Sequence, residues 1–292
     1  MGWARSASPS SFFRDTIPST CSLTVLPFPS RHARGAREPE PSSTRTFFLG
    51  ALVNPAIYPI RLRMSMAYAL LGHRIVLVDT GCAGEEEAIL RGMRRFNLPP
   101  ESIALLLHTH GHMDHAGSTR ALQSRLAALS DARGSRLLVP AAVHPADATK
   151  LRAGDSRPLV PLRFSSRLLA LFLDPKFPAV EPDMQVEDGF SLRDYGLPAT
   201  VVHTPGHTPG SISVLFDDGR AIAGDLMMGG SFGGAFKPLD PGYHYFAEDL
   251  AELRRSIRKL LACGAKTIYL GHGGPLEASR VRERFAADIA GL

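Results

Sequence analysis

The pattern of hydrophobic and polar positions along the 292 residues changes texture once, near residue 46. Before that point, residues 1–45 are rich in Ser, Pro and Arg, hold the single tryptophan, Trp3, and sustain no period of 2 or 3.6 residues. After it, short apolar runs punctuated by Gly and Pro alternate with longer amphipathic stretches, the pattern of a mixed α and β domain. A β-branched run at residues 74–78 predicts a buried strand that delivers Asp79 at its exit. Glu85, Glu86 and Glu87 then open a helix running to about Asn97, acids at the positive end of its dipole and Arg94 and Arg95 near the other end. Residues 103–107 predict a second buried strand, which leads straight into a run of histidines. Helices are expected over 118–131, 145–153 and 164–173, and a short strand over 137–140. Strands over 200–202 and 211–216 flank the turn Thr204-Pro205-Gly206-His207-Thr208-Pro209-Gly210, and a strand over 220–223 ends in Gly224-Asp225. A glycine-bearing loop follows, then a helix over 247–261, a strand over 266–270 ending in Gly271-His272-Gly273, and a last helix from about Glu277.

Two segments are therefore expected: a disordered or targeting-like tail over 1–45 and one domain over 46–292. The amphipathic helix of a transit peptide would be broken by Pro9, Pro18, Pro27 and Pro29, which favours a plain tail. No apolar run approaches the ~20 residues that cross a bilayer, so a soluble protein without a membrane span is expected. Of the formal charge of +5, six arginines against three acids place +3 within residues 1–45, leaving +2 for the domain. That remainder supports no basic groove, and nucleic acid is not an expected partner. Cys21, Cys82 and Cys263 are odd in number and contain no C-x-x-C pair, which argues against a disulfide framework or a thiolate zinc knuckle. The cytoplasm is the default location, with organellar targeting by the tail as the alternative.

The densest chemistry lies in His108-Thr109-His110-Gly111-His112-Met113-Asp114-His115. An H-x-H-x-D-H pattern arises by chance in roughly 1 chain in 1,000 of this composition. In an extended segment, residues two apart share a side, which brings His110, His112 and Asp114 together. A bend at Asp114 and His115 lets the four groups surround two adjacent points, an arrangement suited to two metal ions. Imidazole and carboxylate without thiolate suit zinc, with iron or manganese as alternatives. His207, Asp225 and His272 each follow a strand, and strand ends on one edge of a sheet converge. His32, His73, His144 and His203 read as surface or core histidines, and His108 as a buried neighbour that is not a ligand.

Taken together, T-H-x-H-x-D-H at Thr109 to His115, T-P-G-H-T-P-G-S at Thr204 to Ser211, Gly224-Asp225, Gly271-His272-Gly273 and the earlier Val78-Asp79-Thr80-Gly81 resemble the metallo-β-lactamase superfamily. The resemblance implies a four-layer αββα sandwich with metals at one edge. It implies that His110, His112 and His207 hold one ion, that Asp114, His115 and His272 hold the other, and that Asp225 bridges them. Asp79 either supports the ligands from behind, as the resemblance implies, or caps the turn before the Glu85 helix.

A water whose pKa is lowered toward ~7 by a metal supplies hydroxide at neutral pH, so such a site hydrolyses, with Asp114 orienting the nucleophile. Asp225 in place of a cysteine departs from the cysteine-containing zinc β-lactamases. Only twenty residues follow His272, against the sizeable helical region of glyoxalase II enzymes, and Met228 stands where many lactonases of this family carry a tyrosine. The expected function is a dinuclear, zinc-dependent hydrolase of an ester, thioester, lactone or similar small substrate. A mononuclear iron thiol or persulfide oxygenase and a non-catalytic, metal-stabilised binding protein are the alternatives. Between Asp225 and the helix near Ala247, glycines at 229, 230, 233 and 234 suggest a mobile lid, with Tyr243, His244 and Tyr245 as substrate-binding residues and Phe232 and Phe236 either in the pocket wall or in the core.

Overall fold

The computed structural model describes residues 55–131 and 138–290, so the tail expected over 1–45 lies outside the described residues. β1 (Ala56–Arg61) and β2 (Met66–Leu71) pair antiparallel, and β2 turns into β3 (Ile75–Val78). α1 (Glu86–Arg95) crosses to β4 (Ile103–Leu107), which runs parallel to β3. A single helical turn, α2 (Met113–Ala116), and the longer α3 (Thr119–Asp131) precede β5 (Ala141–Val143). α4 (Ala148–Ala153), α5 (Phe164–Ala170) and β6 (Met184–Gln185) complete a sheet ordered β1-β2-β3-β4-β5-β6.

The second half repeats the plan with β7 (Ala199–His203), β8 (Ile212–Phe216), β9 (Arg220–Ile222), a hairpin of β10 (Met228–Ser231) and β11 (Phe236–Gly242), and α6 (Leu250–Ala262). β12 (Thr267–Tyr269), β13 (Leu276–Glu277) and α7 (Ala278–Ile289) follow. This sheet is ordered β13-β12-β9-β8-β7.

Alternation along the strands decides the layers, because successive side chains leave opposite faces. Val76 and Val78 of β3 and Leu105 and Leu107 of β4 meet Val201, Ile212, Val214, Phe216 and Ile222 in a core between the two sheets. Ile75, Leu77, Ile103 and Leu106 face the other way, onto Ile89, Leu90 and Met93 of α1 and Leu122 and Leu126 of α3. Ile103 and Leu105 thus lie on opposite faces although two apart, because the β3–β4 register shifts between Ile75 and Val76 and passes over Ala104. On the far side Leu253, Ile257 and Leu260 of α6 and Val281 and Phe285 of α7 cover Ala221, Ile268 and Leu270. The result is the four-layer αββα sandwich.

Two local expectations are corrected and one pair of strands is added. Leu138–Pro140 is not a strand; Leu138 is exposed, and pairing begins at Ala141, whose N–H is held by the Asp183 carboxylate. Residues 56–71, for which no element was expected, form β1 and β2. The segment after Asp225 is not an open loop but the β10–β11 hairpin, with a register shift between Gly229 and Ser231. Glu85 stands directly before α1 beside Glu86 and Glu87, as expected, and its carboxylate also accepts from the N–H groups of Arg63 and Cys82.

Tyr68 of β2 ties the sheets together at the edge that matters, its buried hydroxyl donating to the Leu270 carbonyl at 2.6 Å. Tyr68→Phe removes that donor and leaves a buried carbonyl unpaired, which is expected to cost about 1–2 kcal/mol. Urea denaturation checks the value, and an unchanged midpoint would show that the contact adds nothing.

Candidate metal centre

Strands β3, β4, β7, β9 and β12 all end at one edge of the sandwich, and the segment after each carries a polar residue. Asp79 follows β3, and residues 108–112 follow β4. The bend expected at Asp114 and His115 is the α2 turn. His207 lies in the turn between β7 and β8, Asp225 follows β9, and His272 follows β12. The structure brings all of the expected ligand residues together, although they span 163 positions, from 110 to 272.

Two carboxylates away from the centre hold the ligand segments. Asp79 adopts φ 62°, an uncommon conformation for a residue with a side chain, and from there accepts from the Thr109 N–H at 2.8 Å, the Thr109 hydroxyl at 2.7 Å and His115 Nδ1 at 2.8 Å. It holds the candidate ligand His115 and the segment before His110 from behind, and none of these donors lies in the turn before α1. Asp147, which the sequence did not single out, is fully buried and clamps both ligand loops. It accepts from the Gly111 N–H at 2.7 Å, the Gly210 N–H at 2.8 Å and the Thr208 hydroxyl at 2.7 Å. Burial raises its pKa despite these donors. Beside it the nearly buried Lys150 pairs with Glu248 at 3.0 Å, and the Glu248 N–H donates to the His207 carbonyl.

At the centre, His112 Nδ1 stands 3.0 Å from His207 Nε2, with the His110 ring 4.7 and 4.6 Å from those two rings. Next to this group, His272 Nε2 lies 3.3 Å from Asp114 Oδ2, and His115 Nε2 lies 3.9 Å from the same oxygen. Asp225 sits between the groups, Oδ2 at 3.5 Å from His207 Nε2 and 3.4 Å from His272 Nε2, Oδ1 at 3.3 Å from His115 Nε2. Donors bound at ~2.0–2.2 Å to one tetrahedral ion stand roughly 3.3 Å apart, so the spacing suits metal coordination. His110 Nε2, His115 Nε2, His272 Nε2 and Asp225 Oδ1 are buried without a hydrogen-bond partner, an unusual concentration of unsatisfied acceptors that a cation would satisfy. The residues therefore fit bound metal.

The electrostatics divide the same way. Burial holds His110 well below its ordinary pKa and takes His112 and His207 down to about 3, which keeps their lone pairs available. Burial also opposes charge on His115 and His272, but Asp225, Asp79 and Asp114 raise His115 well above its usual value, and Asp225 and Asp114 bring His272 up to about 10. Burial pushes Asp114 and Asp225 upward, yet His115 and His272 hold both carboxyls well below the usual range. Buried carboxylates require positive charge nearby, from protons on imidazoles or from cations. The thiol of Cys82 is pushed up to about 12, mainly by burial, and offers no thiolate.

Other expected residues are placed more unevenly. His108 is not among the grouped ligands; its Nε2 meets the Thr119 hydroxyl at 3.1 Å, and burial lowers its pKa to about 4. His144 and His203 stack on each other with centroids 3.9 Å apart, away from the centre. Tyr243 turns from the site, its ring 4.8 Å from that of Phe285 and its hydroxyl accepting from Arg254, so its expected contact with substrate is corrected. Tyr245 and His244 line the cavity above the centre, and His244 goes deeper than expected, Nε2 3.4 Å from Asp225 Oδ2. Phe232 and Phe236 are exposed, so neither packs as core. Phe232 lines the cavity, and its N–H is held by the Tyr245 hydroxyl at 2.8 Å.

Residues 60–272 match the family model of the metallo-beta-lactamase superfamily. A protein of Methanocaldococcus jannaschii named as a probable metallo-hydrolase is 26% identical over 72% of this chain and 87% of its own length. The hydroxyacylglutathione hydrolase GloC of Haemophilus influenzae is 28% identical over 68% of this chain and 79% of its own. Among solved structures, a metallo-beta-lactamase family protein of Thermus thermophilus superposes with a TM-score of 0.56 at 24% identity, covering 82% of this chain and 81% of that one. The likeness in structure concerns the fold.

Gly271 and Asp147 give the geometry its clearest test. A Cβ on Gly271 would fall 2.2 Å from Asp225 Oδ1 and 2.6 Å from His115 Cε1, so Gly271→Ala is expected to fold but lose metal affinity by at least tenfold, measured by chelator competition. Asp147→Ala leaves three donors without their acceptor and is expected to cost about 2–4 kcal/mol of stability as well as metal. Wild-type affinity in both variants would show that these contacts do not shape the centre.

Proposed function

Since the chain belongs to the metallo-beta-lactamase superfamily, we propose that it is a dinuclear zinc hydrolase acting on a small ester, thioester or lactone with an apolar body. The observation that carries this reading is Asp225, whose carboxylate stands between two groups of three candidate ligands, His110, His112 and His207 on one side and Asp114, His115 and His272 on the other, with Oδ2 near both His207 and His272 and Oδ1 near His115. Bound there, the two ions would supply activated water at neutral pH and polarise the oxygen under attack.

The chain's own residues supply the rest. Asp114 is the centre's most open carboxylate, its side chain 13% exposed against 1% for Asp225, and it lines the cavity. Held ionised by His115 and His272, it accepts a hydrogen bond from the attacking water and aims it. The cavity above it measures about 890 Å³, room for a drug-sized molecule. Leu62, Met66, Leu159, Leu169, Phe232 and Phe246 give it apolar walls, while Arg61 and Arg63 stand at its edge and suit a substrate carrying an anionic group. Walls of this kind favour a reactive carbonyl attached to a hydrocarbon portion over a sugar or a free phosphate. The relation to a hydroxyacylglutathione hydrolase, an enzyme named for a thioester, supports placing thioesters first in the panel.

Metal analysis of purified protein, alongside thioesters, lactones, β-lactams, phosphodiesters and a persulfide, tests the reading. Two zinc equivalents with turnover of an acyl substrate are expected. One iron with oxygen-dependent persulfide turnover, or metal without any turnover, would overturn it. Asp225→Ala is expected to lower bound metal from about two equivalents toward one or none. Two retained equivalents would remove Asp225 from the bridging position.

A separate expectation concerns Tyr245. Its hydroxyl accepts from Phe232, which leaves its own proton to donate into the cavity. Tyr245→Phe is expected to change kcat/KM unequally across the panel, by ~10 to 100-fold for substrates that accept from the hydroxyl, with metal content intact. Equal small losses on every substrate would make the residue scaffold only.

A further inference from the structure

Which nitrogen of a histidine carries the proton is decided by what holds the other nitrogen. His207 Nδ1 lies 2.9 Å from the Phe246 carbonyl, which can only accept, so Nδ1 is protonated and Nε2 keeps its lone pair. His115 Nδ1 lies 2.8 Å from Asp79 Oδ2, with the same outcome. His110 Nδ1 lies 3.0 Å from the Thr109 hydroxyl, whose own proton goes to Asp79, so that hydroxyl accepts from His110. In the neutral form each of the three rings thus directs an unprotonated Nε2 toward the centre, as a ligand must.

His244 is wired in the opposite sense. The Phe246 N–H donates to its Nδ1 at 3.3 Å, so the neutral ring carries its proton on Nε2. That nitrogen is the one on the cavity floor, 3.4 Å from Asp225 Oδ2, with the ring 4.8 Å from that of His207 and 5.1 Å from that of His272. By distance alone His244 joins His207 and Asp225 as a possible ligand group. A ring nitrogen that bears a proton does not ligate; it donates. One residue, Phe246, therefore sets two neighbouring histidines in opposite states, its C=O freeing the lone pair of His207 and its N–H placing a proton on the inward nitrogen of His244.

We propose that His244 is a catalytic hydrogen-bond donor, not a metal ligand, and that its Nε2–H is directed at the substrate oxygen that gains negative charge when water adds to the acyl carbon. The proton stays on His244 throughout; the residue stabilises charge and does not transfer a proton. In the resting site the Asp225 carboxylate stands nearest to this N–H, and an oxyanion formed over the centre offers a second acceptor on the open side. Donors fixed before the reaction begins lower its barrier because they need no reorganisation. The inference rests on the hydrolase reading above.

Two substitutions and one spectrum test it in the metal-loaded, full-length protein. His244→Ala is expected to bind the same number of zinc equivalents as wild type and to keep its melting temperature with and without chelator, while kcat falls on the order of 100 to 1,000-fold and KM moves little. His244→Gln carries an amide N–H near the position of Nε2–H and is expected to recover at least tenfold of that loss. Nitrogen-15 spectra of the zinc-loaded protein at neutral pH are expected to show His244 protonated on Nε2, opposite to His110, His115 and His207. Loss of a zinc equivalent in His244→Ala, or a His244 protonated on Nδ1, would make it a ligand and overturn the inference. An active wild type whose kcat survives His244→Ala, or a His244→Gln variant no faster than His244→Ala, overturns it as well. A wild type inactive on the whole panel instead overturns the hydrolase reading, and the donor role falls with it.

Discussion

Everything at the working edge of this molecule answers to one electrostatic constraint. Six imidazoles, those of His110, His112, His115, His207, His244 and His272, are withdrawn from water around the carboxylate of Asp225. Internal hydrogen bonds cannot satisfy them, because the nitrogens face one another and one carboxylate cannot serve them all. Such a cluster is favoured by positive charge within it, from protons or from a cation, and requires that the surrounding backbone prevent the groups from turning away. The sandwich meets that requirement by ending five strands at one edge, with Asp79 and Asp147 gripping the segments that leave them.

The rigidity is distributed unequally. Asp79 and Asp147 lie under the centre and are bonded to backbone N–H groups as well as to side chains, so the floor is set by main-chain geometry. The opposite wall, formed by the β10–β11 hairpin, is held by fewer ties, among them the Tyr245 hydroxyl on Phe232 and the Gly229 N–H on the His272 carbonyl. The candidate ligands thus stand on the bonded floor, while the hairpin borders the cavity above them.

How much of this the amino-acid order disclosed depended on the kind of force involved. The buried strands Ile75–Val78 and Ile103–Leu107 were legible because complete burial leaves an uninterrupted apolar run. The ligand residues were legible because their chemistry is rare and their spacing rarer still. β1 was not, since Pro59 and Arg61 break its pattern at the sheet edge, where a proline is tolerated. The hairpin after Asp225 was hidden by the glycines and prolines that elsewhere mark open loops. Tyr243 and Tyr245 looked equivalent, but the Phe246 and Asp225 contacts of the intervening His244 accompany a chain path that sends Tyr243 to α7 and Tyr245 to the cavity. Asp147 carried no signal, because a clamp is defined by its distant partners, Gly111 and Gly210, and not by its neighbours.

The ligand groups are also divided between the two halves of the chain. Each of the two triads flanking Asp225 takes two members from the segment after β4 and one from the second sheet, His207 for the first and His272 for the second. An ion seated in either triad is therefore a further bond between halves that are also joined by apolar packing and by the hydrogen bonds of Tyr68 and Asp147. Synthesis runs from the first half to the second, so the triad completed by His207 becomes possible while the strand before His272 is still unmade. The two triads therefore have separate histories in synthesis: the first is complete before the second sheet is, whereas the second waits until β12 and the turn carrying His272 have been made.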